Sequence, residues 1–201
     1  MSYETDMTIE YYETNADAFV DGTINANMDK LRTRFLQYVP DGGTILDFGC
    51  GSGRDSKAFL DEGYHVVSLD GSSALCATTR EVTGQPAICC KYQDYWAMTQ
   101  YDGIWACASL LHLTLDELPS VLSQLEKSLK PGAVIYMSFK YGDFSGERNG
   151  RWFTDMTEER LRSMMSESTS LEEEVFWKTN DARPDRTEKW LNCIYRKATA
   201  G

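Results

Sequence analysis

Residues 44–59 read TILDFGCGSGRDSKAF. A short apolar run meets an acid, Asp47, and then Gly49, Gly51 and Gly53 fall at alternate positions before a polar turn. The run predicts a strand over 44–48, and the turn opens a helix over 55–62. Glycines at such a junction adopt dihedrals closed to other residues and let the backbone approach a ligand. A strand, a glycine loop and a helix in that order form the ligand-binding turn of a doubly wound sheet.

The flanking sequence supports such a sheet. Upstream, residues 8–20 and 26–39 read as two helices, the second with Leu31, Phe35, Leu36 and Val39 at helical spacing. Pro40-Asp41-Gly42-Gly43 stops it. Downstream, strands are predicted over 64–69, 87–90 and 101–107, with a β-rich run over 133–139. Helices are predicted from Ser72 or Ser73 to residue 82 and over 115–129. A polar, Gly-rich loop is expected over 141–154, then a helix over 157–167 opened by Thr157, then a closing hairpin of 171–179 with 189–197. Helices and strands alternate through the middle of the chain, which argues an α/β fold with a mostly parallel sheet and helices on both faces. No repeat or linker divides the chain, so residues 1–201 read as a single domain.

Composition narrows the function. The 201 residues carry 20 Lys and Arg against 31 Asp and Glu, a formal net charge of −11. That balance argues against general nucleic-acid binding and against attraction to anionic membranes. The opening MSYETDMTIEYYE lacks the regions of a secretory signal, and no apolar run reaches the roughly 20 residues that cross a bilayer. Six cysteines without a C-x-x-C pair read as reduced thiols of a cytoplasmic protein, with no metal site.

Spacing narrows the ligand. A dinucleotide loop reads G-x-G-x-x-G, but here position 54 is Arg and the third glycine comes one residue early. No G-x-x-x-x-G-K-[ST] phosphate loop is present. An acid directly before the loop repels a pyrophosphate and suits a ligand bearing positive charge. Asp70, at the end of the next strand, is placed to accept hydrogen bonds from two ribose hydroxyls.

ILDFGCGSGRDS followed by VVSLDGS resembles the first two motifs of the class I S-adenosylmethionine-dependent methyltransferases, and YDGIWACASLLHL and LKPGAVIYMSF resemble later ones. The GCGSGRDS form and the helical segment before it are similar to the small methyltransferases described as tellurite-resistance-like. The resemblance implies a doubly wound, mostly parallel seven-stranded sheet. It also implies an N-terminal helical lid (1–40), a cofactor-binding core (41–140) and an acceptor-side loop, helix and closing β-hairpin (141–201).

The resemblance implies S-adenosyl-L-methionine as cofactor. Its methionine end is expected at Asp47, Gly49, Cys50, Gly51 and Gly53, with Arg54 pairing its carboxylate or standing solvated in the helix's first turn. Asp70 is expected on the ribose, and Gly71 and Ser72 beside the adenine. Asp94 is expected at the adenine amine with Tyr95 or Trp96 beside the ring, unless those aromatics belong to the core. Ala108, Ser109 and His112 follow the fourth strand toward the methionine and the acceptor. Tyr11 or Tyr12 faces the sulfonium if the first helix is a lid, and only packs on the sheet otherwise.

The protein is therefore expected to methylate a small molecule, either anionic or a thiol or chalcogen compound. A catalytically inactive cofactor-binding module and a nicotinamide dehydrogenase are the other readings. No Asn/Asp-Pro-Pro-aromatic motif, double glutamate or His-carboxylate cluster points to a nucleic-acid, arginine or catechol acceptor. His112 is the candidate general base, or else a polar residue closing the pocket. Residues 178–197 hold six basic side chains against three acids. Lys140, Arg151, Arg183 and Arg186 converging would bind a small anion, with Tyr141, Trp152 and Phe153 as walls; otherwise they pair with nearby acids.

Overall fold

The computed structural model describes residues 2–96, 100–183 and 186–199, and its centre is the strand that the sequence marks first. β1 (Thr44–Phe48) pairs in parallel with β2 (His65–Asp70) on one side and with β4 (Tyr101–Ala106) on the other. β3 (Ala87–Cys89) extends the sheet beyond β2, and β5 (Leu129–Lys140) lies parallel beside β4. β9 (Lys189–Arg196) runs antiparallel to β5, and β8 (Glu172–Asn180) closes the edge. The order is β3-β2-β1-β4-β5-β9-β8, so the winding reverses between β1 and β4. Ligand crevices form at the carboxyl ends of strands at such a reversal.

Strand alternation sorts the core into two layers. Leu46, Phe48, Ile104, Ala106, Ile135 and Met137 face α6 (Leu118–Ser128) and α7 (Glu158–Ser168). Ile45, Trp105, Val134 and Tyr136 face α3 (Asp29–Leu36) and α4 (Arg54–Asp61) through Phe35, Val39 and Phe59. Trp105 and Tyr136 stack with centroids 4.1 Å apart. Each fully buried aromatic of this layer contributes about 2–3 kcal/mol. α5 (Ser73–Thr83) is capped by Ser72, whose hydroxyl accepts from Leu75 N at 3.2 Å, and α7 by Thr157.

Two expectations are corrected. The N-terminal region forms three helices: α1 (Tyr3–Thr14), α2 (Ala16–Thr23) and α3. Asn15 divides the first two, leaving the helix at φ −115° while its side-chain amide donates to the Tyr11 carbonyl. Residues 141–154 are no plain loop; they contain a hairpin of β6 (Ser145–Arg148) and β7 (Arg151–Thr154). Its two-residue turn is Asn149-Gly150, both with positive φ (52° and 78°), the pattern that matches strand twist.

α1 lies across the carboxyl edge of the sheet and is pinned at both ends. Glu117 accepts from the Thr5 hydroxyl (3.2 Å), from Ser2 and from Gln93 Nε2 (2.9 Å). At the other end Glu13 accepts from the backbone N–H groups of Ser73 and Ala74 at the start of α5. Thr8 Oγ1 accepts from Trp152 N at 2.9 Å, which ties α1 to the hairpin.

Gly103 in β4 tests how closely α3 must approach. A Cβ there would stand 2.7 Å from Phe35 Cζ and 2.8 Å from Val39 Cγ2. Gly103→Ala is expected to lower the unfolding free energy by about 1–3 kcal/mol. Urea titration measures it, and an unchanged midpoint would show that α3 slides freely on the sheet.

Candidate active site

The loop after β1 turns back on itself because the N–H groups of Gly49 and Cys50 both donate to the Leu69 carbonyl, at 2.8 and 2.9 Å. Gly49 has φ 93°, and a Cβ there would lie 2.4 Å from Ser109 Cβ and 2.5 Å from the Tyr92 hydroxyl. Gly51 has φ 52° and faces the Phe19 ring. No side chain fits between this loop and the segment after β4, and a cavity of about 420 Å³ opens there. Its volume is that of a small-molecule site.

Asp70 closes one wall. Its carboxylate accepts from Gly51 N (2.9 Å) and Ser72 N (3.0 Å), and burial raises its pKa. Two oxygens that each take one of these backbone bonds retain lone pairs for a ligand's hydroxyls. Gly71 lines the same wall. Asp47 lies beneath the loop, not in the cavity lining, and accepts from Ser56 Oγ at 2.6 Å. Burial, with the Asp55 charge adding to it, pushes Asp47 up to about 7.

Arg54 lines the cavity but is already engaged. Its guanidinium grips Asp55 with two bonds, of 3.0 and 2.7 Å, and donates to the Thr23 carbonyl at 3.2 Å. Asp55 also accepts from Arg32 (2.6 Å) and from the Trp105 indole (3.0 Å). Burial alone would raise its pKa, but the Arg54 and Arg32 charges hold it below the ordinary range.

At the far end stands His112, on a short turn after β4. Nδ1 lies 2.7 Å from the Trp152 carbonyl and Nε2 2.9 Å from the Tyr12 hydroxyl. A carbonyl only accepts, so Nδ1 carries the hydrogen and Tyr12 donates to the Nε2 lone pair. Burial pulls His112 down to about 4, and Arg151 and Lys140 act in the same direction against the Trp152 carbonyl. Arg151 donates to the Tyr12 hydroxyl at 3.3 Å.

The four basic residues of the acceptor end all line the cavity, and three of them also pair with acids. Lys140 bonds Glu188 at 3.1 Å, Arg186 is 4.0 Å from that carboxylate, and Arg183 grips Asp181. Phe153 lines the cavity. Tyr141 and Trp152 are outside the cavity lining: the Tyr141 ring lies under Lys178 Nζ, and the Trp152 indole bonds Thr154.

Cys50, Gly51, Ala108 and Ser109 line the cavity. Ala108 sits at φ 52°, held by its N–H bond to Ser138 Oγ, and among the described residues the buried Ser109 hydroxyl has no hydrogen-bond partner. Tyr11, Gly53 and Ser72 lie behind the lining. The expectation for Asp94 and Tyr95 is corrected. Asp94 is exposed, Tyr95 is core and Trp96 points to solvent, while Tyr92 and Gln93 line the cavity. The reason is a single 3₁₀ turn over Tyr92–Asp94, which an extended reading of KYQDYW does not anticipate. Among the described residues no cluster of His, Cys, Asp and Glu could hold a metal ion.

A family described as "Methyltransferase domain" matches residues 20–175. The chain belongs to this family. As a methyltransferase-domain protein it is 27% identical over 143 residues to the putative methyltransferase YqeM of Bacillus subtilis (strain 168), covering 66% of this chain. It is 30% identical over 112 residues to a malonyl-[acyl-carrier protein] O-methyltransferase of Enterobacter lignolyticus (strain SCF1), covering 54% of this chain. The chain spans 58% and 43% of the length of these curated relatives. Its fold is shared with the Burkholderia thailandensis 1,6-didemethyltoxoflavin-N1-methyltransferase, solved with 1,6-didemethyltoxoflavin and S-adenosylhomocysteine, at a TM-score of 0.75 and 20% identity over 94% of this chain and 85% of that one.

Two of the perturbed groups of this methyltransferase-domain site, Asp47 and His112, act oppositely on stability. Folded Asp47 keeps its proton to about pH 7, whereas the unfolded chain releases it near 3.8, so stability falls as pH rises through that window. Folded His112 stays neutral down to about pH 4, whereas the unfolded imidazole titrates near 6.5, so stability falls as pH drops through that window. Asp47→Asn is expected to remove one of the slopes that oppose that of His112. Between about pH 4.5 and 6.5 its stability should rise with pH more steeply than wild type, by at most about 1.4 kcal/mol per unit. Urea midpoints across that range measure it, and identical slopes would show that Asp47 is ionised throughout.

Proposed function

We propose that this protein is an S-adenosylmethionine-dependent methyltransferase whose acceptor is a small molecule, anionic or a thiol or chalcogen compound. The observation that carries the reading is one cavity with two chemically different ends. At one end stand Asp70 and a glycine loop that admits no side chain; at the other stand His112, Lys140 and Arg151.

The residues present suit the cofactor. The free lone pairs of Asp70 match vicinal ribose hydroxyls, and the unpartnered Ser109 hydroxyl offers a bond at the inner wall. Gly49, Cys50 and Gly51 would surround the methionine part, with Asp47 supporting the loop from beneath and Gly71, Tyr92 and Gln93 on the adenosine side. Gly53 and Ser72 would shape that wall from behind, and Arg54 would do so through Asp55. When bound, S-adenosylmethionine supplies an electrophilic methyl group on a sulfonium. The chain's own part is to hold the acceptor in line and exclude water, which α1 and the β6–β7 hairpin do from above.

The tellurite-resistance-like assignment rests on the GCGSGRDS form and the helices before it. A cytoplasmic location is the finer reading of the six thiols, which form no disulfide.

Calorimetric titration with S-adenosylhomocysteine tests the reading. Micromolar binding is expected for wild type, and Asp70→Asn is expected to weaken it about tenfold or more, through loss of charge-assisted bonds. Well-folded wild type that binds nothing would end the proposal. Binding without transfer to any of a panel of carboxylates and thiols would favour a binding module instead.

A further inference from the structure

Most cations at the acceptor end of the cavity have a carboxylate beside them. Lys140 and Arg186 share Glu188, and Arg183 has Asp181. Arg151 is different: among the described residues no carboxylate touches it. Its Nε–H is buried without a hydrogen-bond partner, although one terminal nitrogen donates to the Tyr12 hydroxyl. The guanidinium lies 4.4 Å from the centre of the Tyr11 ring and 5.2 Å from that of Phe153. Aromatic faces stabilise a cation there without neutralising it. A partly buried guanidinium with an idle donor is built to receive an acceptor with two lone pairs to offer.

The neighbours of Arg151 fix what kind of group arrives. Lys140 Nζ is 5.0 Å from the same Phe153 ring, and the His112 ring is 4.9 Å from it. Lys140, Arg151 and an imidazole therefore meet around one phenyl ring, with Arg148, which is paired with Asp155, 5.6 Å from the same ring. Both imidazole nitrogens are occupied, Nδ1 by the Trp152 carbonyl and Nε2 by the Tyr12 hydroxyl. For His112 to take a proton, Tyr12 must turn its hydroxyl away and a third positive charge must form between Arg151 and Lys140.

We propose that the methyl acceptor reaches this end already ionised, as a small organic anion gripped by Arg151, and that His112 is a positioning residue that aims the Tyr12 hydroxyl. The proposal rests on the methyltransferase reading above. The step balances without a base. The anion's lone pair forms the bond to the methyl carbon, the carbon–sulfur bond breaks with its pair kept by sulfur, and the opposite charges cancel. Tyr12 from α1, Arg151 from β7 and Lys140 from β5 are the titratable groups facing His112, and no carboxylate is among them. The downward pull on its pKa is consistent with that setting.

The test uses the full chain saturated with S-adenosylhomocysteine. In nitrogen-15 spectra, with His65→Gln to assign the signals, His112 is expected as the neutral Nδ1–H tautomer at all pH values above about 5.5. Tyr12→Phe is expected to move its Nε2 resonance. An Nε2–H tautomer or a midpoint near 6.5 would overturn the positioning role. In calorimetry, benzoate is expected to bind about tenfold more tightly than its neutral isostere benzamide. Arg151→Gln should abolish the preference and Arg151→Lys should keep part of it. No benzoate binding, equal binding of the pair, or a preference that survives Arg151→Gln would overturn the anion site. Failure of wild type to bind S-adenosylhomocysteine would instead remove the cofactor reading beneath it.

Discussion

A single buried carboxylate, Asp55, joins the parts of this molecule that make the cavity. It accepts from Arg32 on α3, from Arg54 beside the glycine loop and from Trp105 on β4. Helix, loop and sheet are thereby held to one point. Charged groups out of water are costly unless each is matched, and here two guanidinia and an indole share the match. Removing one partner leaves the others uncompensated, so the network behaves as a unit. Trp105 carries the constraint onward by stacking on Tyr136, and the aromatic layer beneath the loop follows from it.

The reversal of strand order converts that rigidity into a site. β1 and β4 are neighbours, so the loops that leave them face each other with nothing between, and Gly49 abuts Ser109. α1 and the β6–β7 hairpin then cover the opening as a joined pair, bonded through Thr8 and Trp152 and through Tyr12 and His112. The ends of the cavity differ because the elements that supply them differ. The end of β2 brings the acid Asp70 and the loop after β1 brings backbone amides, while β5, β7 and the β8–β9 connection bring cations.

Much of this frame was legible because local signals and the fold agreed. Strand β1 is bounded by the Asp41-Gly42-Gly43 stop and by Gly49, and Ser72 and Thr157 are caps with a mechanism. What escaped were contacts set by distance in sequence or by local geometry. Nothing in the order of residues shows that Asp55, next to Arg54, is also the partner of Arg32. Asp94 missed the cavity because one 3₁₀ turn rotated the segment and brought Tyr92 and Gln93 inward. The hairpin at residues 145–154 was a different failure. Asn149-Gly150 is a turn signal in plain view, but short polar strands around it lack the apolar alternation that marks strands.

Glu117 gathers donors from three separate places: Ser2 and Thr5 on the covering helix, Gln93 beyond β3, and both the N–H and hydroxyl of Thr114. All of these donors are neutral. Dissolved ions screen charge pairs but scarcely touch hydrogen bonds of this sort, so the grip of this carboxylate on the mouth is indifferent to ionic strength. The exposed ion pair of Lys91 with Asp6 beside it is the part that salt loosens. The entrance thus combines a fastening that holds across changing salinity with one that yields.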